Sequence, residues 1–273
     1  MNFYDLDGCY ALLKINGEDA TSFINGQITN DIKLIEKNKA MYAGICNAKG
    51  RIIAFLIICK ISNDEYILLI PHDLAEKLKN KLTMYILRSK VVIEICKQYE
   101  IAGAFDTQDI NNFDSLYCFQ MPLDNRFLVI QKKNTAQLND KNKNLNDWFL
   151  EDIKMGIPYI SSINSENFIA HTINLDAINA INFKKGCYTG QEIVARTQYL
   201  GKPKYRTFYG EINLPISFKA GEEITCGNEK VGTIIQAALE KEKTVLLFET
   251  NITAIEKQIS VKDNTITNLK SFN

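Results

Sequence analysis

The longest apolar run in the chain, from Ile52 to Cys59, has the length of a β-strand and lies between two turn signals, Ala48-Lys49-Gly50 and Ser62-Asn63-Asp64. No stretch approaches the ~18 uninterrupted apolar residues of a membrane-spanning helix. A short β-prone run bounded by turns reads as a strand. Residues 41–47 alternate in strand fashion and supply its hairpin partner, a third strand follows at 65–70, and Pro71 opens a helix with Leu74, Leu78, Leu82, Tyr85 and Ile86 on one face. Ahead of these, residues 10–15 read as a strand ended by the Asn16-Gly17 turn, and residues 18–25 as a helix stopped by Gly26. Strands and helices in this order predict an α+β layer, the helix packed on an antiparallel sheet.

Four further short strands are expected at 91–95, 101–105, 116–120 and 126–130. Residues 132–146, rich in Asn and Lys, read as an exposed helix or loop whose charges are offset by Asp140 and Asp147. A helix headed by Trp148 ends at Gly156 and Pro158. Beyond the Leu200-Gly201 break come only short β-prone pieces, at 206–212, 223–226, 230–236, 244–248 and 259–261, as in a small barrel or sandwich. The expected division is therefore 1–200 and 201–273.

The chemistry gathers in Phe183-Lys184-Lys185-Gly186-Cys187-Tyr188-Thr189-Gly190-Gln191-Glu192-Ile193-Val194-Ala195-Arg196. Thr189 and Glu192 have the spacing of a capping box, which starts a helix at about Gly190. Cys187 then stands just before the positive helix end and beside Lys184 and Lys185, and each feature favours thiolate over thiol. Gly186 and Gly190 permit a tight turn or a close approach. An alternative account of the same residues is structural: the glycines shape a loop, Cys187 fills a small gap, and Glu192 with Arg196 forms an i,i+4 surface pair. The polar stretch Gln27-Ile28-Thr29-Asn30-Asp31 likewise either lines a site or is a capped loop.

Lys-Gly-Cys-Tyr-Thr-Gly-Gln-Glu at 185–192 resembles the signature of the YgfZ proteins, folate-binding relatives of the glycine-cleavage T protein that support iron–sulfur cluster assembly or repair. The similarity extends to Phe23-Ile24-Asn25-Gly26-Gln27-Ile28-Thr29-Asn30-Asp31, to Cys46-Asn47-Ala48-Lys49-Gly50-Arg51, to Arg88-Ser89-Lys90-Val91, and to Trp148 with Gly156-Ile157-Pro158 and Asn174-Leu175. The resemblance implies two ferredoxin-like α+β units and a C-terminal β-barrel around a central cavity that holds tetrahydrofolate or a derivative. It implies Cys187 as the functional thiolate, Tyr10 and Trp148 as the aromatics touching folate, and Gln27 and Lys49 as lining residues. Position 10 carries Tyr where the family pattern has Trp, with less stacking area. On residue chemistry alone a lone Trp is a packing residue; the resemblance moves Trp148 towards the ligand.

T proteins carry an acidic pair in Gly-x-Ile-x-Asp-Asp, where this chain has Gly50-Arg51-Ile52-Ile53-Ala54-Phe55. Ala54 and Phe55 have no proton to exchange, so aminomethyl transfer by that route is not expected. The expectation is a folate-binding protein serving iron–sulfur clients, tRNA-modifying enzymes among them; the alternative is a tetrahydrofolate-dependent one-carbon transferase with Cys187 as nucleophile and Glu192 or Asp176 as base.

Composition sets the remaining limits. A formal net charge of zero gives no global field to draw nucleic acid or an anionic bilayer. Seven cysteines without a C-x-x-C, and only His72 and His171, argue against a disulfide framework, a zinc ribbon or a resident metal. Residues 1–5 show neither a basic leader nor an apolar segment. The setting expected from these features is a reducing cytosol, with the protein a monomer.

Overall fold

In the computed structural model, which describes residues 3–105, 117–133, 141–201 and 203–272, the apolar run becomes the strand Ile52–Lys60, buried along its length except at Lys60. The chain divides into two units, Met1–Ile45 with Ala54–Leu145 and Ala180–Thr189, and Cys46–Ile53 with Asn146–Asn179 and Gly190–Asn273.

The first unit carries β1 (Tyr4–Asp5), β2 (Tyr10–Asn16), α1 (Ala20–Asn25), β3 (Ala40–Cys46), β4 (Ile52–Lys60), β5 (Glu65–Pro71), α2 (Ala75–Thr83), β6 (Val92–Ile95), β7 (Tyr99–Ala104), β8 (Tyr117–Gln120) and β9 (Phe127–Lys132). They form a five-stranded sheet, β3-β4-β5-β2-β6, and a four-stranded sheet, β1-β7-β9-β8. Each strand follows from local chemistry: β-branched and aromatic residues between Gly, Asn and Asp turns. Leu74, Leu78 and Leu82 are at most 1% exposed, so the apolar stripe of α2 does face inward. The stripe ends earlier than expected, because α2 stops at Thr83 and leaves Tyr85 39% exposed.

The lysine-rich stretch holds a second departure. Lys141, expected on an exposed segment, is largely covered and sits 3.1, 3.0 and 3.0 Å from Asp5, Asp7 and Glu100. Three carboxylates outweigh burial and raise its pKa. Residues 134–140 of that stretch, and Leu116 at the start of an expected strand, lie outside the described residues.

The second unit holds α3 (Asn146–Met155), α4 (Gln191–Leu200), and β10 (Tyr205–Ile212), β11 (Glu223–Cys226), β12 (Glu229–Glu240), β13 (Lys243–Asn251), β14 (Ser260–Val261), β15 (Asn264–Thr265) and β16 (Thr267–Ser271). These strands make one sheet ordered β15-β14-β11-β12-β13-β10-β16. It curls into a half-barrel, so that Phe208, Ile224, Ile234, Leu246, Phe248 and Val261, from five strands, meet in one core. A register shift in β12 between Ile234 and Gln236 helps the curl, since a bulge bends its strand.

Helix α3 is pinned to this sheet at both ends. The Asn146 amide donates to the Leu239 carbonyl (2.6 Å) and accepts from the Leu239 N–H (2.7 Å), while Lys154 pairs with Glu240 at 2.9 Å. Gly156 ends the helix at φ +72°, as expected, and a Cβ there would stand 2.8 Å from the Phe272 ring. The strands expected from Gly201 onward are present, and β16, too polar to be read from its residues, closes one edge of the sheet.

Candidate functional site

The loop after α1 and the segment carrying the cysteine are stitched together by polar groups. Thr29 Oγ1 donates to the Ala180 carbonyl (2.6 Å) and accepts from the Gly44 N–H (2.7 Å), and the Thr29 carbonyl accepts from the Asn182 N–H (3.0 Å). Asn30 Nδ2 donates to the Tyr42 carbonyl at 2.9 Å, and Asn25 Oδ1 accepts from the Ile32 N–H at 3.0 Å. Lys185 completes the arrangement. Its ammonium donates to the carbonyls of Asn25, Ile28 and Asn30 at 2.6, 2.7 and 2.8 Å and lies 5.0 Å from the centre of the Tyr188 ring. A lysine ammonium has three donors, and here each finds a carbonyl. Burial lowers its pKa to about 8; the three carbonyls need all three protons and hold the charged form at neutral pH.

The three donors of Lys185 are thus directed at the loop 25–30. They also anchor the segment that carries the cysteine. With Lys185 and Tyr188 both 8% exposed, the intervening Gly186 and Cys187 are held between two anchored residues and stand in solvent. Of the seven cysteines, all among the described residues, only Cys187 is exposed. Burial pushes Cys9 and Cys118 up to about 11 and Cys46 up to about 12. Lys184 is exposed, and its N–H donates to Asn182 Oδ1 at 2.8 Å.

The expected capping box does not form. The N-cap of α4 is Gly190, with φ 84° and no side-chain cap, so the helix begins where expected but by other means. A Cβ at Gly190 would stand 2.5 Å from the Asn47 carbonyl and 3.0 Å from the Gly50 Cα. Close backbone approach, together with a left-handed φ, makes glycine the residue that fits. Gly186 differs: a Cβ there meets nothing within 4 Å. On α4, Gln191 is half-buried, and Glu192 and Arg196 are exposed one turn apart.

Tyr10, on β2, is 8% exposed and borders a cavity of about 260 Å³ in the first unit, with Asp7, His72, Cys96, Lys97 and Tyr99 among its walls. That volume is just below the ~300–1,000 Å³ of small-molecule sites; it suits one ring system, not a whole folate. Cys187 is not among the residues lining it. Trp148, on α3 in the second unit, is 0% exposed. With its ring faces covered, it packs as a core side chain. Gln27 is half-buried, Lys49 is exposed at the turn before β4, and Ala54 and Phe55 are buried at 0% and 6%. Among the described residues, no group of three or more His, Cys, Asp or Glu is placed to hold a metal ion, and no helix is long and apolar enough to cross a membrane.

Residues 7–102 match the GCVT N-terminal domain family. An uncharacterised protein of Haemophilus influenzae is 30% identical over 84% of this chain and 81% of its own length. The tRNA-modifying protein YgfZ of Yersinia pestis is 27% identical over 94% of this chain and 87% of its own, and that of Blochmanniella pennsylvanica 27% identical over 81% and 74%. In structure, the chain is similar to glycine cleavage system aminomethyltransferase T from Bartonella henselae, with a TM-score of 0.78 and 11% identity over 97% of this chain and 83% of that one. At that identity the likeness is one of fold, and it places the chain in the glycine-cleavage T-protein fold.

Proposed function

This chain belongs to the YgfZ family, and from that premise we propose that it binds tetrahydrofolate in the cytosol and supports iron–sulfur cluster assembly or repair in client enzymes, tRNA-modifying ones among them. The observation that carries the reading is the Cys187 loop, in which one sulfur is left in solvent between two buried anchors. One thiolate cannot fill the four-cysteine shell of a cluster, so a partner protein or an external ligand supplies the rest, and Cys187 acts in passing. Ala54 and Phe55, where T proteins have their acidic pair, support a protein that binds folate without consuming it. Of the two aromatics in question, Tyr10 has a cavity beside it suited to the ring end of a folate; Trp148, with no exposed face, offers none.

Three measurements test this. In cells lacking the protein, Cys187→Ala should fail to restore the activity of cluster enzymes while melting at the wild-type temperature; full restoration refutes the role of the thiol. Calorimetric titration with tetrahydrofolate should show saturable binding, weakened several-fold in Tyr10→Ala by loss of about 0.5–1.5 kcal/mol of aromatic contact. Labelled methylene-tetrahydrofolate should be recovered unchanged; its turnover would establish a one-carbon transferase instead.

A further inference from the structure

A cavity of about 800 Å³ is lined entirely by residues of the second unit and has no part in the reading above. Three segments wall it: Arg51, the stretch from Ile163 to Thr172, and strand residues that include Tyr205, Lys230, Val231, Thr233 and Glu249. Its volume falls inside the range of small-molecule sites.

The walls carry opposite charges that do not meet. Arg51 is held by its Nη1, which donates to the carbonyls of Asn167 (2.5 Å) and Glu166 (3.4 Å). Its Nε and Nη2 donors have no protein partner among the described residues, and no carboxylate stands within ion-pair distance of it. Glu249 lies near the C-terminal end of β13, opposite Thr233 on β12 and Thr207 on β10. No cation pairs with its carboxylate among the described residues. The only other charged wall residue, Lys230, is engaged by Glu223 at 2.8 Å on the exposed side. Phe168, Ile169 and Val231 add apolar surface to the same walls.

A guanidinium with spare donors suits a carboxylate or phosphate, and a partly buried carboxyl suits an amine or another N–H group. We propose that this cavity binds a small organic zwitterion, its anionic group on Arg51, its nitrogen donor on Glu249 and its apolar body along Phe168, Ile169 and Val231. Burial pushes Glu249 up to about 7, with Thr233 and Lys230 opposing the shift. Arg51, Lys230 and Tyr205 are the other charged or titratable residues lining the space. An ammonium ligand is therefore held more tightly as Glu249 ionises, so affinity rises from below to above neutrality.

The test uses the full chain and a set of ω-amino acids as rulers: glycine, 4-aminobutyrate and 6-aminohexanoate, against butyrate, hexanoate, butylamine and hexylamine, which each lack one pole. Calorimetry should show one amino acid binding about tenfold or more tighter than its single-pole analogues. Its affinity should rise between about pH 6 and about pH 8 as Glu249 titrates. Glu249→Gln should abolish that pH dependence and bring the affinity down to that of the matching acid. Arg51→Gln should bring it down to that of the matching amine, with melting curves confirming that both variants fold. Equal binding of single-pole and two-pole compounds, unchanged binding in Glu249→Gln, or no saturable binding at any length would overturn the assignment. None of these outcomes depends on folate or Cys187, so this proposal and the cluster-maintenance reading can fail separately.

Discussion

Replacing Lys185 by Met isolates the link between the cysteine segment and the loop after α1. Met keeps the stem and removes the ammonium, so the carbonyls of Asn25, Ile28 and Asn30 lose the donor they share. Hydrogen bonds to a charged group contribute about 1.5–3 kcal/mol each. Against the loss of three stands the desolvation that Met does not suffer: lowering Lys185 to about 8 corresponds to about 3 kcal/mol. The expected net destabilisation is about 2–5 kcal/mol, or roughly 5–15 °C in the melting of the first unit. Lys185→Arg should also be destabilised, because a planar guanidinium cannot point its donors at three carbonyls gathered about one nitrogen. Two assays follow the change, scanning calorimetry and the rate at which iodoacetamide alkylates Cys187, which should alter as the loop loses its anchor. In Lys185→Ala, millimolar ammonium or methylammonium should restore part of the melting temperature by occupying the carbonyl cage. The sign with pH is also fixed. Because the folded pKa lies below the unfolded value, the folded chain releases this proton first, and the lysine's contribution to stability rises from about pH 8 to about pH 10.4. A Lys185→Met protein with wild-type melting and wild-type alkylation kinetics would refute the anchoring role.

Glycine substitutions should separate the two signature glycines: Gly190→Ala meets the Asn47 carbonyl at 2.5 Å with φ +84° and should cost about 2 kcal/mol or more, measured by urea unfolding. Gly186→Ala, with nothing within 4 Å of the added Cβ, should stay within about 0.5 kcal/mol of wild type in the same assay. Lys141→Met leaves Asp5, Asp7 and Glu100 facing one another and should destabilise by about 3–5 kcal/mol. Its folded pKa is raised, so the wild-type advantage should hold from neutral pH up to about pH 10.4 and fade above it; an advantage already lost at neutral pH would contradict the ion-pair account. Asn146→Ala removes both bonds to Leu239 and should lower stability by about 1–2 kcal/mol, seen as earlier melting of the second unit.

Most of the strands, the turn before Arg51 and the ends of α1 and α3 could be read from the residues, with β1, β15 and β16 as exceptions. Each is decided by periodicity, turn chemistry or a glycine within a few positions, and such signals are local. The half-barrel was partly legible for the same reason: its apolar strands were visible, while polar β16 was not. Where the readings failed, the deciding partner was far along the chain. Thr189 and Glu192 have capping spacing, but the approach of Asn47 and Gly50 to Gly190 settled the cap. Lys141 looks like one more solvated lysine until β1, the turn after it and β7 bring three carboxylates to it. What the sequence by itself determined is where most of the strands and helices lie and that a cysteine sits in a glycine-flanked loop. Only the tertiary structure decided where Lys185 sends its charge, because its three acceptors lie 160, 157 and 155 residues away, and no spacing rule reaches a carbonyl that folding alone brings within hydrogen-bonding distance.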